Sequence, residues 1–197
     1  MDFKLEVPTA LEYFASLVQS DEQFPLLEAA ASLAQDEYPE LDIQEVLDLV
    51  DQLSSRLKQR LPADAGALQK LRLLNKFFFD EHGFSGNLNN YYDPDNSYLH
   101  VMLRTRRGIP ISLAVLWLEL AQGIGLRAQG VGFPGHFLVK VRLPFPNEGQ
   151  VVIDPFTGES LSKEDLSERL VPIHAESGLL RDGHVSDELL KHYLRAA

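Results

Sequence analysis

Arg106 to Ala121 reads RRGIPISLAVLWLELA, and this stretch decides the fold. Pro110 and Ser112 open a helix, because proline suits the first helical position, where its missing N–H would have no partner anyway. Leu113, Ala114, Val115, Leu116, Trp117, Leu118, Leu120 and Ala121 then make that helix apolar on almost every side. A helix without a polar face has to be enclosed by the rest of the domain. The stretch therefore predicts a buried central helix with one hydroxyl, that of Ser112, in its first turn.

The material to enclose it lies on both sides in sequence. Upstream, residues 8–82 read as helices. Thr9 and Glu12 have capping-box spacing ahead of Leu11, Phe14, Leu17 and Val18. Ser20 or Asp21 is placed to cap a second helix through Leu26, Leu27, Ala30, Leu33 and Ala34. Tyr38-Pro39 breaks it, since a residue before proline avoids the helical region. Asp42 and Glu45 have capping spacing for a third helix, whose stripe is Ile43, Val46, Leu47, Val50, Leu53, Leu57 and Leu61, and Pro62 stops it. A fourth helix is expected from about Gly66 to Glu81, with Gly83 as its C-terminal cap.

Downstream, Arg127 to Phe133 is a strand candidate and Pro134-Gly135 a turn. His136 to Leu143 alternates with period two: Phe137, Val139, Val141 and Leu143 on one face, His136, Leu138, Lys140 and Arg142 on the other. Val151 to Asp154 is a further strand, ended by Pro155, so the two strands form an antiparallel hairpin. Ser162 and Asp165 have capping spacing for a short helix, and Ser186 to Ala197 reads as a last one. The expected organisation is a helical region at 1–82, a core at 83–170 and a helical tail at 171–197, together one unit.

Composition narrows the function classes. The chain has 197 residues, 45% of them hydrophobic and 24% charged, enough for one good-sized domain. No apolar run approaches the roughly 18 residues that cross a bilayer. MDFKLEVPTALEYF has no basic segment followed by an apolar one, so no signal peptide is read and a cytoplasmic location is expected. A net charge of −11 opposes binding to nucleic acid or anionic membranes. Arg104, Arg106 and Arg107 run against that trend, and pairing with nearby carboxylates is the expected reason. The absence of cysteine removes disulfides, thiolate zinc sites and a Cys nucleophile together. His174, His184 and His192 do not share one helix face, so solvated histidines are expected rather than a metal set. No cofactor is implied.

Ser112 opens a helix, His136 begins a strand and Asp154 ends the neighbouring strand. The hairpin places the start of one strand beside the end of the next, so His136 and Asp154 are expected to meet. A helix N-terminus offers free N–H groups to an oxyanion. That is an order of nucleophile, base and orienting acid. A plainer reading has Ser112 satisfying the helix terminus, His136 bonding a carbonyl and Asp154 capping the turn before Pro155. The loop GFSGNLNNYYDPDNSYL, from Gly83 to Leu99, is rich in turn formers and tyrosine. Such loops often bind ligands, which makes Asn96, Tyr92 and Tyr98 candidate binding residues. In the alternative, the tyrosines fill space and Asn90 or Asn96 satisfies backbone groups.

EYPELD (Glu37–Asp42), GFSGNLNNYYDP (Gly83–Pro94), NSYL (Asn96–Leu99), GIPISL (Gly108–Leu113), PGHFLV (Pro134–Val139) and DPFTG (Asp154–Gly158) occur in that order. Together they resemble the SirB-type branch of the transglutaminase-like superfamily, over about residues 20–165. The resemblance implies an α+β, papain-like core and a Cys-His-Asp triad. His136 and Asp154 match its His and Asp, and Ser112 falls at the Cys position. A thiol ionises near neutral pH, whereas an alcohol needs a true general base, here His136. Two functions are open on this basis. One is a non-catalytic module that binds a protein or peptide. The other is a serine-dependent hydrolase or acyltransferase using Ser112, His136 and Asp154. Members of this branch often continue into tetratricopeptide repeats, and with the sequence stopping at Ala197 such a region is expected to be absent or removed.

Overall fold

The computed structural model describes residues 8–20, 24–144, 149–174, 180–181 and 184–195. The helical half begins with α1 (Ala10–Leu17), closed by the Thr9–Glu12 capping box that the spacing foretold. Helix α2 (Leu26–Ser32) runs into a 3-10 turn at Leu33–Asp36. It starts later than a Ser20 or Asp21 cap would place it, directly after Pro25 and with no side-chain cap. Asp21 lies outside the described residues. Proline already has a backbone angle suited to a helix entrance, so the helix begins there. Helix α3 (Ile43–Gln59) is capped by Asp42, which accepts from the Gln44 N–H at 2.8 Å.

The fourth helix is not uniform. Helix α4 (Ala67–Asn75) widens into a π turn at Lys76–Glu81. There the N–H of His82 reaches back to Phe77 O at 3.0 Å. The wider turn buries Phe77 and Phe78 completely. It sets Phe79 against Gly158, whose φ is +82°. Spacing alone reads this segment as ordinary helix, because three consecutive phenylalanines satisfy either period.

After the loop come β1 (Ser85–Gly86), a 3-10 turn at Pro94–Ser97, α5 (Leu99–Thr105), β2 (Arg107–Gly108) and the central α6 (Pro110–Gly123). Leu113, Leu116, Trp117, Leu120 and Ala121 of α6 are wholly buried. They share one core with α2, α3, α4, α5 and the inner face of the sheet. The Trp117 indole N–H donates to Asn75 Oδ1 at 3.1 Å, which satisfies its one polar atom inside that core.

The sheet contains β3 (Ala128–Phe133), β4 (His136–Leu143), β5 (Gly149–Ile153) and β6 (Ser160–Leu161), paired in that order and antiparallel throughout. Val139, Val141 and Ile153 face α6. The opposite face is buried too, which the alternating pattern did not foretell. Val131, Phe133, Leu138 and Val152 pack under α7 (Lys163–His174) and α8 (Asp187–Tyr193). Between α7 and α8, β7 (Leu180–Arg181) pairs with β8 (His184–Val185). Lys140, expected on a polar face, is therefore buried. Its ammonium donates to the carbonyl of Leu194 at the end of α8. Burial lowers its pKa, with the nearby Arg142 charge adding to the effect.

The arginine cluster also departs from expectation. Among the described residues none of Arg104, Arg106 and Arg107 pairs with a carboxylate. Arg107 donates to Gly83 O at 2.8 Å, and the Arg106 guanidinium lies 4.6 Å from the centre of the Phe84 ring. Arg106 ends α5 in the left-handed region at φ 61°, which turns its side chain onto that ring. His174, expected to be solvated, is buried and shares a 2.8 Å hydrogen bond with the Tyr193 hydroxyl. The side chain of His184 lies outside the described ones.

Lys140 fastens α8 to the sheet. Lys140→Ala is expected to speed amide exchange in α8 by at least about tenfold, the equivalent of one lost charged hydrogen bond, and to leave α6 unchanged. Hydrogen-exchange mass spectrometry of the two helices measures both effects.

Candidate functional site

The site assembles where three connections meet the start of α6. Strand β1 pairs in parallel with β2, Gly86 opposite Gly108, and so fastens the long loop to the α6 entrance. The Gly86 N–H donates to Phe156 O at 2.8 Å. A Cβ at Gly86 would lie 2.3 Å from the Phe156 ring, so only glycine lets the loop approach that closely. The DPFTG segment is itself a tight turn, closed by Gly158 N–H to Asp154 O at 2.8 Å and Asp154 N–H to Glu159 O at 2.9 Å.

Asp154 is 1% exposed and both oxygens of its carboxylate are used. Oδ1 takes His136 Nε2 at 2.8 Å and the Phe156 N–H at 3.0 Å, and Oδ2 takes Arg169 Nη1 at 2.8 Å. Burial pushes this carboxyl upward, but the hydrogen bonds from His136 and Arg169 outweigh it and hold the group below the ordinary carboxylate range. A carboxylate can only accept, so the His136 proton sits on Nε2. The other ring nitrogen, Nδ1, makes no hydrogen bond among the described residues. The ring is partly exposed and meets Phe156 edge-on at 6.3 Å. Sequence reasoning missed Arg169. It stands on α7, beyond the sheet, and nothing in its spacing ties it to Asp154.

Ser112 is used differently. It is 4% exposed. Its hydroxyl donates to Asn96 O at 2.7 Å and also lies 3.1 Å from Ile109 O. Its oxygen accepts the Ile109 N–H at 3.1 Å. Ser112 thus closes the helix entrance in the way a glutamate does in a capping box. A Cβ at Gly108 would lie 2.6 Å from this hydroxyl. The tight fit explains a glycine two residues before the proline-led helix. The structure joins His136 to Asp154. It directs Ser112 to backbone carbonyls, and among the described residues no hydrogen bond links Ser112 to His136.

The loop residues separate. Asn96 is buried, and its amide donates to Asn90 O at 2.6 Å and Tyr91 O at 3.1 Å while accepting from Asn87 Nδ2 at 2.8 Å. Tyr98 packs edge-on against Tyr38, with ring centres 5.5 Å apart. The Tyr38 phenol is pushed up to about 12, chiefly by the hydrogen bond it donates to Asp95. Tyr92 is 94% exposed and touches Tyr91, which in turn lies 5.8 Å from Phe156. Of the three, Tyr92 is the most exposed, and a chain of ring contacts runs from it through Tyr91 and Phe156 to His136. Among the described residues no group of His, Asp and Glu side chains is arranged to hold a metal. No helix among them is long and apolar enough to cross a membrane.

The buried helix, the antiparallel sheet packed on it and a paired His and Asp on neighbouring strands define an α+β core that comparison with known proteins can test. The family model of the transglutaminase-like superfamily matches residues 44–191. The chain belongs to the transglutaminase-like superfamily. A UPF0162 protein of Xylella fastidiosa strain 9a5c is 42% identical over 153 residues, which cover 77% of this chain and 53% of that protein. A UPF0162 protein of Vibrio cholerae is 34% identical over 110 residues, 56% of this chain and 40% of the relative. F-box only protein 21 of Mus musculus is 40% identical over 72 residues, 36% of this chain but 12% of that protein. The chain spans about half the length of the Xylella relative. No solved structure matches.

The lowered Asp154 pKa gives stability a pH dependence. Because the folded value lies below the unfolded one, the contribution is complete above the unfolded value, near pH 4, and is lost as pH falls through the folded value. Asp154→Asn is expected to unfold more easily at neutral pH by about 3 kcal/mol, the cost of breaking a buried pair. The gap to wild type should close as both are taken toward pH 2. Urea titrations across that range measure it, and a constant gap would place the pH dependence elsewhere.

Proposed function

We propose that this domain is a non-catalytic, SirB-type transglutaminase-like module that binds a protein or peptide partner. The commitment of the Ser112 hydroxyl to the Ile109 and Asn96 backbone carries this reading. A nucleophile must be within hydrogen-bond reach of its base, and its proton must be free to leave toward that base. Here the proton points at a carbonyl, which cannot take it. The sequence offers no cysteine instead. His136, Asp154 and Arg169 then act as a clamp, tying the β4 start, the DPFTG turn and α7 together. Exposed Tyr92, packed on Tyr91, which in turn lies near Phe156, supplies an aromatic edge for a partner chain. The net charge of −11 argues against nucleic acid or an anionic membrane as the partner.

One observation favours a second reading, a Ser-His-Asp hydrolase or acyltransferase. His136 keeps Nδ1 without a hydrogen bond among the described residues and has a carboxylate on Nε2, as a general base requires.

A fluorophosphonate probe separates the two. No labelling of Ser112 is expected, even at long incubation, in intact-mass spectra of the wild-type chain. Ser112→Ala is expected to destabilise the fold by about 1 kcal/mol, the worth of the hydroxyl's hydrogen bonds, because the Ile109 N–H keeps the Asn96 carbonyl at 3.4 Å. Stoichiometric labelling that Ser112→Ala and His136→Ala both abolish would establish the hydrolase instead.

A further inference from the structure

Between Pro8 and Ser55 the chain has eleven Asp and Glu residues and no Lys or Arg. The remainder of the sequence has 18 of each sign, so this one stretch holds the entire net charge of −11. It forms α1, α2, the 3-10 turn after it and most of α3. These acidic elements also expose apolar side chains. Leu11 is 75% exposed and Leu33 54%, and Val18, Phe24 and Leu26 are exposed beside them. No residue of α1 is buried.

A groove of about 270 Å³ opens within this surface. Phe14, Phe24, Leu26 and Leu33 line it from the acidic segment, and Ile111, Ser112 and Val115 line it from α6. Ile111, next to Ser112, is 48% exposed. An apolar groove set in a surface of one charge sign selects its occupant by both properties. The apolar floor takes aliphatic side chains from one face of a helix. The carboxylates of the chain segment that supplies much of this lining favour cations on the rest of that helix and raise its rate of encounter. A second copy of this chain is a poor occupant, because it would bring two such acidic surfaces together.

We infer that this groove is a docking surface for a basic amphipathic helix of a partner protein. The inference goes beyond the binding role proposed above, since neither His136 nor Asp154 lines this groove, although Ser112 lies at its edge.

The test titrates the full chain into a fluorescent peptide of about 18 residues, long enough to form helix. The peptide carries leucines at i, i+3, i+4 and i+7 and lysines elsewhere. Binding that weakens with added salt is expected. A peptide of the same composition with scrambled leucines should bind at least about tenfold more weakly, the equivalent of one unburied leucine. A version with glutamate for lysine should not bind. Leu33→Ser and Phe24→Ser each remove an exposed side chain, so the fold should persist by circular dichroism while affinity falls about tenfold. Equal binding of the scrambled peptide, or unchanged binding by both variants, would overturn the inference. So would self-association of the chain that Leu33→Ser abolishes, because the groove would then belong to a second copy. Probe labelling of Ser112 would end the non-catalytic reading, while the peptide titration, made on the unlabelled chain, reads the groove separately.

Discussion

A helix apolar on almost every side has to be covered along most of its surface, and the rest of this domain is arranged around that requirement. Along α6 the side chains of Leu113, Leu116, Trp117 and Leu120 are fully buried. Fully burying a large apolar side chain contributes about 1.5–3 kcal/mol. One layer cannot enclose such a helix. Helices α2, α3, α4 and α5 close one side, and the inner face of the sheet closes the other. The sheet then has a second face to protect, which α7 and α8 cover.

Enclosure also governs the chemistry at the helix entrance. The first N–H groups of a helix have no partners within it, and in a buried position water cannot supply them all. Pro110 removes one such donor. Ser112 accepts another from Ile109 and donates its own hydroxyl hydrogen bond to Asn96 O. The long loop contributes that carbonyl, and Asn87 and Asn96 hold the loop in place. A hydroxyl so placed serves the folding of the entrance. The His136–Asp154 pair is held by a different set of contacts, through Arg169 and the Phe156 N–H.

Much of this was legible in the sequence. The apolar run at 113–121 gave away the central helix, and the capping pairs Thr9–Glu12 and Ser162–Asp165 marked real helix starts; Asp42, paired in sequence with Glu45, does cap its helix, but through the Gln44 N–H. A hairpin brings His136 beside Asp154, where the two share a hydrogen bond, because an antiparallel register leaves little choice. The features that stayed hidden depend on distant chain. Lys140 reads as a surface residue until α8 covers it. Arg169 has no sequence relation to Asp154. The direction of the Ser112 hydroxyl is set by the Asn96 carbonyl, sixteen residues away, and no local pattern encodes it. The plain reading of Asn96, as a residue satisfying backbone groups, describes its contacts; its side-chain amide type was visible, its partners were not.

The π turn at Lys76–Glu81 makes the spacing between α4 and the DPFTG turn unusually sensitive to chain length. A π turn holds one residue more than the helix around it needs. Losing that residue would return the segment to ordinary helix and rotate everything before it by about 100° relative to the chain beyond it. Phe77 and Phe78 would leave their places in the core, and Phe79 would swing off Gly158. Substitutions in this segment can be absorbed one side chain at a time. Insertions and deletions cannot, so drift in this lineage should be free to alter the residues here while the number of residues stays fixed.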